Sequence, residues 1–316
     1  RSRYNHSASD SYKPGQPGEI TIIFGTGKIT GEQAIDNFHV GPFTVREQRF
    51  GMIAAEDGDV FKDVPFEGIL GLAFPKMSAY GVKPFFDNVI EQGALNQKNV
   101  FSFYFSKEEP AANAIFWGGV DKSFHQGELQ YFNVSEPFYW SLPLVSFRVG
   151  EQELLSEQCG GPCGDLAEEN SAERSPFPKA IVDTGTTLFT AEGKVFDAIM
   201  DALKSVECGQ MTEETHPAIT YRLRSAKNVP VDFVLGRDQF MSPVGGGICA
   251  PAFMKIDVAP EHGPAMVLGE VFLRSYYGVF DRGTDGAEDK ARIGFAPAVD
   301  ENLVTGRLQE LTKNQP

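Results

Sequence analysis

The chain has 316 residues, more than one hydrophobic core usually organises, so two lobes are the starting expectation. Hydrophobic residues make up 41% and charged residues 22% of it, the balance of a soluble globular protein. With 28 Lys and Arg against 43 Asp and Glu, the formal net charge is −15; that field repels phosphate backbones and argues against nucleic acid or an anionic membrane as partner.

From the N-terminus, the chain opens Arg-Ser-Arg-Tyr-Asn-His, with neither an initiator Met nor an apolar leader, and reads as an internal start. No apolar run reaches the roughly 18 residues of a spanning helix. Gly and Pro then punctuate short segments rich in Val, Ile, Phe and Thr, which predicts an all-β architecture with few short helices. Ile20–Phe24, Gly25-Thr26-Gly27 and Lys28–Gly31 predict strand, glycine turn and strand. Further strands are predicted at Val100–Phe105, Ala114–Trp117, Glu128–Val134 and Trp140–Val149. Helical spacing of apolar residues predicts helices over Lys83–Gln92 and Gly193–Val206. Residues 164–179 are polar and acidic and read as a surface loop. The tail from Glu301 follows the last apolar strand, Arg292–Ala296, and reads as frayed or as a short helix.

Four cysteines, Cys159, Cys163, Cys208 and Cys249, allow three pairings or four free thiols. Cys159 and Cys163 enclose Gly-Gly-Pro and could close a small ring, leaving Cys208 and Cys249 to pair. No histidine stands at ligand spacing beside them, so no metal is expected. Asn5-His-Ser and Asn133-Val-Ser are glycosylation sequons. His6, His39, His125, His216 and His262 are scattered without a paired acid or nucleophile and read as surface or satisfied residues. No serine or cysteine hydrolase pattern is present.

The most informative stretch is Ala180–Thr190, Ala-Ile-Val-Asp-Thr-Gly-Thr-Thr-Leu-Phe-Thr. A β-branched run stops at Asp183, followed by small and hydroxyl residues in a tight turn. Such a turn holds an ionisable group at the end of a buried strand. Acid–base peptide hydrolysis needs two carboxylates close enough to share a proton, one neutral and one ionised. They activate a water and protonate the leaving nitrogen. No second Asp-Thr-Gly or Asp-Ser-Gly occurs in the chain.

Four blocks in order, Ile23–Gly31, Pro65–Pro75, Ala180–Thr190 and Val267–Asp281, resemble the pepsin family of aspartic proteases. The resemblance implies a bilobal β fold with residues 1–130 as an incomplete N-terminal lobe, 131–299 as the C-terminal lobe and 300–316 as a tail. It makes Ile23–Gly31 the flap, with Phe24, Gly25 and Thr26 against bound peptide. It makes Pro65–Pro75 a strand ending a Ψ-shaped loop, with Phe66 and Ile69 lining a subsite. Asp183 becomes the catalytic aspartate of the second lobe, Gly185 and Thr186 its support or substrate contacts, and Tyr139 the wall of a further subsite. The pairs Cys159–Cys163 and Cys208–Cys249 match the family's second-lobe disulfides. The resemblance further implies a monomeric endopeptidase without cofactor, acting on polypeptides at acidic pH in a secretory or endosome-like compartment or outside the cell, after removal of a propeptide.

The departures carry expectations of their own. The family's first catalytic motif lies further upstream of the flap than the 23 residues that precede Phe24. Arg1–Tyr12 resembles the stretch that follows that motif, so its aspartate is expected to be missing by truncation. Phe24 stands where the flap usually carries Tyr, a feature similar to apicomplexan plasmepsin and toxomepsin maturases. Glu67 and Glu270 stand where Asp is usual and are expected only to repack a hydrogen bond. Two rival readings remain: a peptide-binding homologue without catalysis, and a dimer in the retroviral manner that uses Asp183 twice.

Overall fold

A computed structural model describes residues 3–24, 27–58, 66–107, 112–167 and 177–313. Strands dominate and helices are short, in agreement with the all-β, pepsin-like fold expected. The described residues divide into two compact units, one within Arg1–Asn99 and the other within Val100–Asn314.

The first unit is built on a three-stranded antiparallel sheet, Lys13–Phe24, Gly27–Val40 and Phe43–Asp57. The expected hairpin is present: Phe24 pairs with Gly27 and Thr21 with Thr30. Its strands run well beyond the apolar residues that announced them, because backbone pairing continues through polar positions once the turn has set the register. The Phe24 side chain and residues Gly25 and Thr26 lie outside the described residues. A short helix, Phe85–Glu91, falls inside the expected helix and buries Phe85, Phe86 and Val89.

One buried carboxylate ties the start of this unit to its sheet. Asp36 is 4% exposed and accepts hydrogen bonds from the hydroxyls of Tyr4 and Ser11 and from the Asn37 amide at 2.8 Å. Burial alone would raise its pKa, but the hydroxyl and amide donors outweigh burial and hold it well below the ordinary carboxylate range. Burial, and then the bond to Asp36, push the Tyr4 phenol up to about 12. A value lower in the folded than in the unfolded state stabilises above the unfolded pKa, and that stabilisation drains away as pH falls toward the folded one. Asp36→Asn is therefore expected to cost about 2 kcal/mol at neutral pH, with the penalty shrinking below about pH 4. Urea unfolding at pH 7 and pH 3 checks this; a penalty unchanged at pH 3 contradicts it.

The block Pro65–Pro75 departs from expectation. Among its described residues, Phe66–Phe74 form no strand, and Ile69 and Leu70 are 59% and 43% exposed. A strand needs a hydrogen-bonded neighbour, and among the described residues this segment is paired into no sheet.

Among its described residues the second unit has three sheets. The largest orders its main path as Pro230–Leu235, Ile219–Arg224, Ser141–Val149, Lys179–Val182, Ala265–Leu268, Phe189–Ala191 and Phe253–Lys255. The abundant Phe supplies its core, where Phe147, Phe189, Tyr221 and Phe272 are fully buried and Phe189 stacks on Tyr221 at 5.6 Å. A five-stranded sheet follows the order Ala114–Trp117, Val100–Tyr104, Tyr276–Asp281, Arg292–Pro297, Gln130–Asn133. Residues 100–130, assigned from sequence to the first lobe, thus hydrogen-bond into the second unit. The third sheet holds the hairpin Met241–Gly245 and Ile248–Pro251. Both disulfides form, Cys159–Cys163 and Cys208–Cys249.

The tail is an ordered helix, Glu301–Lys313. Val304 is buried against Tyr104, Phe124 and Tyr277, with Leu308 and Leu311 packed alongside. Spacing of three or four residues places all three on one helix face. Arg307 fixes the register by pairing with Asp121 at 3.1 Å. No helix among the described residues is long and apolar enough to cross a membrane.

Candidate active site

Ala180, Ile181 and Val182 form a strand buried on both faces, an apolar run with two β-branched residues at 0%, 4% and 4% exposure. This strand pairs in parallel with Ala265–Leu268 and antiparallel with Ser141–Val149. The ladder ends at Asp183, whose amide donates to Leu268 O at 3.2 Å. The chain then turns, and its return arm, Phe189–Ala191, pairs on the other side of Ala265–Leu268 through Thr190 and Val267. One strand is therefore threaded between the two arms of the aspartate loop. The Thr190 hydroxyl locks the crossing by accepting from the Val267 amide at 3.1 Å.

Within the turn, Asp183 is half-buried and holds its orientation through its own loop. Oδ1 accepts from the Gly185 amide at 2.9 Å, and Oδ2 from the Thr186 hydroxyl at 2.5 Å. A side-chain acceptor two residues before its donor closes a turn without helix or sheet, which is why Asp followed by Thr-Gly-Thr folds locally. Gly185 is exposed, and a Cβ on it would stand 3.3 Å from Asp183 Oδ1. Its bareness leaves the carboxylate approachable. The structure thus brings Asp183, Gly185 and Thr186 into one constellation.

Tyr139 joins them from another segment. It packs against the apolar strip of Ile181, Ala265 and Val267. Burial raises its phenol pKa, with the charges of Glu136, Asp183 and Glu261 adding to the effect. In the first unit, Phe66 and Ile69 are 42% and 59% exposed.

Sequence reasoning assigned no role to Gly269, which the loop depends on. A Cβ there would lie 2.3 Å from Leu188 O and 2.4 Å from Thr186 O. The turn's carbonyls are in turn capped from the same segment: Glu270 N donates to Thr186 O at 2.7 Å and Val271 N to Thr187 O at 3.1 Å. The Glu270 side chain pairs with Arg274, Oε1 lying 2.8 Å from the guanidinium. Also unassigned was Glu192, 6% exposed, which accepts from the Ala265 amide at 3.0 Å and holds the threaded strand.

A signal for Gly269 exists within the chain. Ile69-Leu70-Gly71-Leu72-Ala73-Phe74 repeats the pattern of Val267-Leu268-Gly269-Glu270-Val271-Phe272. The two phenylalanines are fully buried in their own units. The glycines differ: Gly269 is pressed against an aspartate loop, whereas a Cβ on Gly71 would meet nothing within 4 Å.

Comparison with known proteins identifies the family. The family profile described as eukaryotic aspartyl protease matches residues 1–298. Aspartic protease 3 of Toxoplasma gondii is 34% identical over 324 aligned positions, covering 99% of this chain and 46% of that protein. Cathepsin E of Aquarana catesbeiana is 32% identical, covering 94% of this chain and 69% of its own length. Pepsin A of Bos taurus is 30% identical, covering 93% and 73%. The chain therefore spans about half of the first relative and about seven tenths of the other two. It belongs to the eukaryotic aspartyl protease family, the pepsin-like aspartic endopeptidases.

Proposed function

We propose that Asp183 is one carboxylate of an aspartic dyad that hydrolyses peptide bonds through an activated water. The observation that carries this reading is the Asp183 loop itself: a carboxylate oriented by two donors, braced by a threaded strand, with bare Gly185 beside it. In the first step the ionised carboxylate takes a proton from the water as its oxygen attacks the scissile carbonyl. The neutral partner then donates its proton to the departing nitrogen. Neither step calls for a metal or an organic cofactor.

The partner carboxylate is read as belonging to a second aspartate loop packed against the first unit. Support comes from the repeat at Ile69–Phe74, which carries the glycine and apolar residues of the threaded segment yet leaves Ile69, Leu70 and Gly71 uncovered. A loop built like residues 183–188 would cover them. The substrates proposed are secretory-pathway polypeptides with apolar side chains around the scissile bond, cleaved at acidic pH by a monomer. Phe24, Gly25, Thr26, Phe66, Ile69 and Tyr139 are proposed to contact them. The two disulfides support an oxidising compartment.

Peptide hydrolysis assays at acidic pH test this. The 316-residue chain alone is expected to be inactive. The longer product of its coding sequence, carrying an upstream Asp-Thr-Gly or Asp-Ser-Gly, is expected to cleave. Turnover by the chain alone removes the need for a second loop. A longer product that binds peptides but does not cut them would favour the non-catalytic reading, which the single Asp-Thr-Gly in this chain keeps open.

A further inference from the structure

His262, read from sequence as a bystander, stands in a compact cluster next to Tyr139. Its Nδ1 lies 3.1 Å from Glu136 Oε1, and the other oxygen of Glu136 is 2.7 Å from Lys179 Nζ. The His262 ring stacks on Phe138 at 4.2 Å and meets Tyr139 edge-on at 5.4 Å. The His262 and Lys179 side chains are only 12% and 11% exposed. Three segments therefore converge on one carboxylate: the turn carrying Glu136–Tyr139, the strand leading to Asp183, and the loop entering Ala265–Leu268.

We propose that His262 is a positioning residue that clamps Tyr139 over the apolar strip beside Asp183, firmly when the imidazole is protonated and loosely when it is neutral. The inference deepens the peptidase reading above and rests on it for its functional meaning. Nδ1–H donates to Glu136 in either charge state, but protonation turns a neutral–ionic bond into an ion pair, which is shorter and stronger. The groups facing the ring are Glu136 from the turn, Lys179 from the aspartate strand and the Tyr139 phenol. Glu261 is its neighbour in its own loop, and the Glu192 carboxylate lies close to where a Cβ on Gly263 would stand. Burial works against ionisation of Glu136, but the bonds from Lys179 and His262 overcome it and hold its pKa low. Glu136 thus presents an anionic partner to the ring.

Tyr139 packs against the apolar cluster that includes Ile181, two residues before Asp183. A clamp on Tyr139 therefore sets where an apolar side chain rests beside that carboxylate.

NMR on the 316-residue chain tests the clamp without any hydrolysis. The Tyr139 ring signals, assigned by their loss in Tyr139→Phe, are followed from about pH 8 to pH 5, the range over which an imidazole gains its proton. In the wild type they are expected to move in a single step. His262→Gln, which keeps a donor without a charge, and His262→Phe, which keeps the stacked ring without a donor, are both expected to lose that step. Tyr139 signals that stay still in the wild type, or that move equally in His262→Gln, overturn the proposal. Glu136→Gln guards against a folding artefact: it leaves the ring stack in place and is expected to shrink the step by more than half. An unchanged step in that variant also counts against the clamp. A failed peptidase assay leaves these outcomes intact, so the two readings fail separately.

Discussion

Asp183→Asn is expected to reduce peptide hydrolysis by about a thousandfold or more in any form of this protein that cleaves peptides, a loss at the scale of general acid–base catalysis. The substitution is nearly isosteric. Its amide oxygen can still accept from the Gly185 amide, and the Thr186 hydroxyl can rotate to accept from the new NH2 group in place of donating to Oδ2. What disappears is a group able to carry negative charge and exchange a proton with water. The fold should be largely indifferent, so thermal unfolding is expected to stay within a few degrees of wild type. The pairing of the two measurements is what discriminates. Activity above a tenth of wild type would show that Asp183 is not the base or acid of the reaction. Collapse of both activity and stability would show that the variant acts through the fold.

Gly269→Ala is expected to be the most damaging single methyl addition in the second unit, costing upward of about 3 kcal/mol, the upper range of ordinary overpacking. Its Cβ would stand 2.3 and 2.4 Å from the carbonyl oxygens of Leu188 and Thr186. Neither oxygen can swing away like a side chain, because both belong to the backbone of the aspartate loop. Relief requires moving that loop, and with it the Asp183 carboxylate, so activity and stability should fall together. Gly71→Ala is the internal control. It occupies the matching place in the repeated segment, meets nothing within 4 Å, and should change the stability of the chain by less than about 1 kcal/mol. Urea unfolding of the two variants side by side decides the matter. Equal penalties would mean that the two segments are not in different states of cover. A mild Gly269→Ala would mean that the loop is more yielding than the threaded strand implies.

These two glycines show where sequence reading reached its limit. Asp183 was legible because its chemistry is contiguous: the apolar strand, the carboxylate and the residues that hydrogen-bond to it all lie within Ala180–Thr190. The hairpin that pairs Phe24 with Gly27 was legible for the same reason, although the lengths of its strands were not. The role of Gly269 was not legible, because the atoms that exclude a side chain come from Thr186 and Leu188, some eighty positions earlier. The repeat at Ile69–Phe74 was visible in principle, yet only the contrast in cover gave it meaning. The strand expected there is absent because strand identity belongs to a pair of segments and not to one. The tail reads along the sequence as frayed or as a short helix, and the structure selects the helix because Val304, Leu308 and Leu311 meet a core built by strands far upstream.

By itself the sequence was enough to point to the family and the β-rich class and to single out Asp183 as the candidate catalytic carboxylate. Each of these rests on local order: periodicity, a short motif, or a composition that sets net charge. The tertiary structure alone decided that one strand passes between the arms of the aspartate loop, and it bears out the cysteine pairs that the resemblance implied. It alone placed His262, Glu136 and Lys179 around Tyr139. Close packing and hydrogen bonding act over a few ångströms of space, and the partners they join are separated by tens to more than a hundred positions of chain.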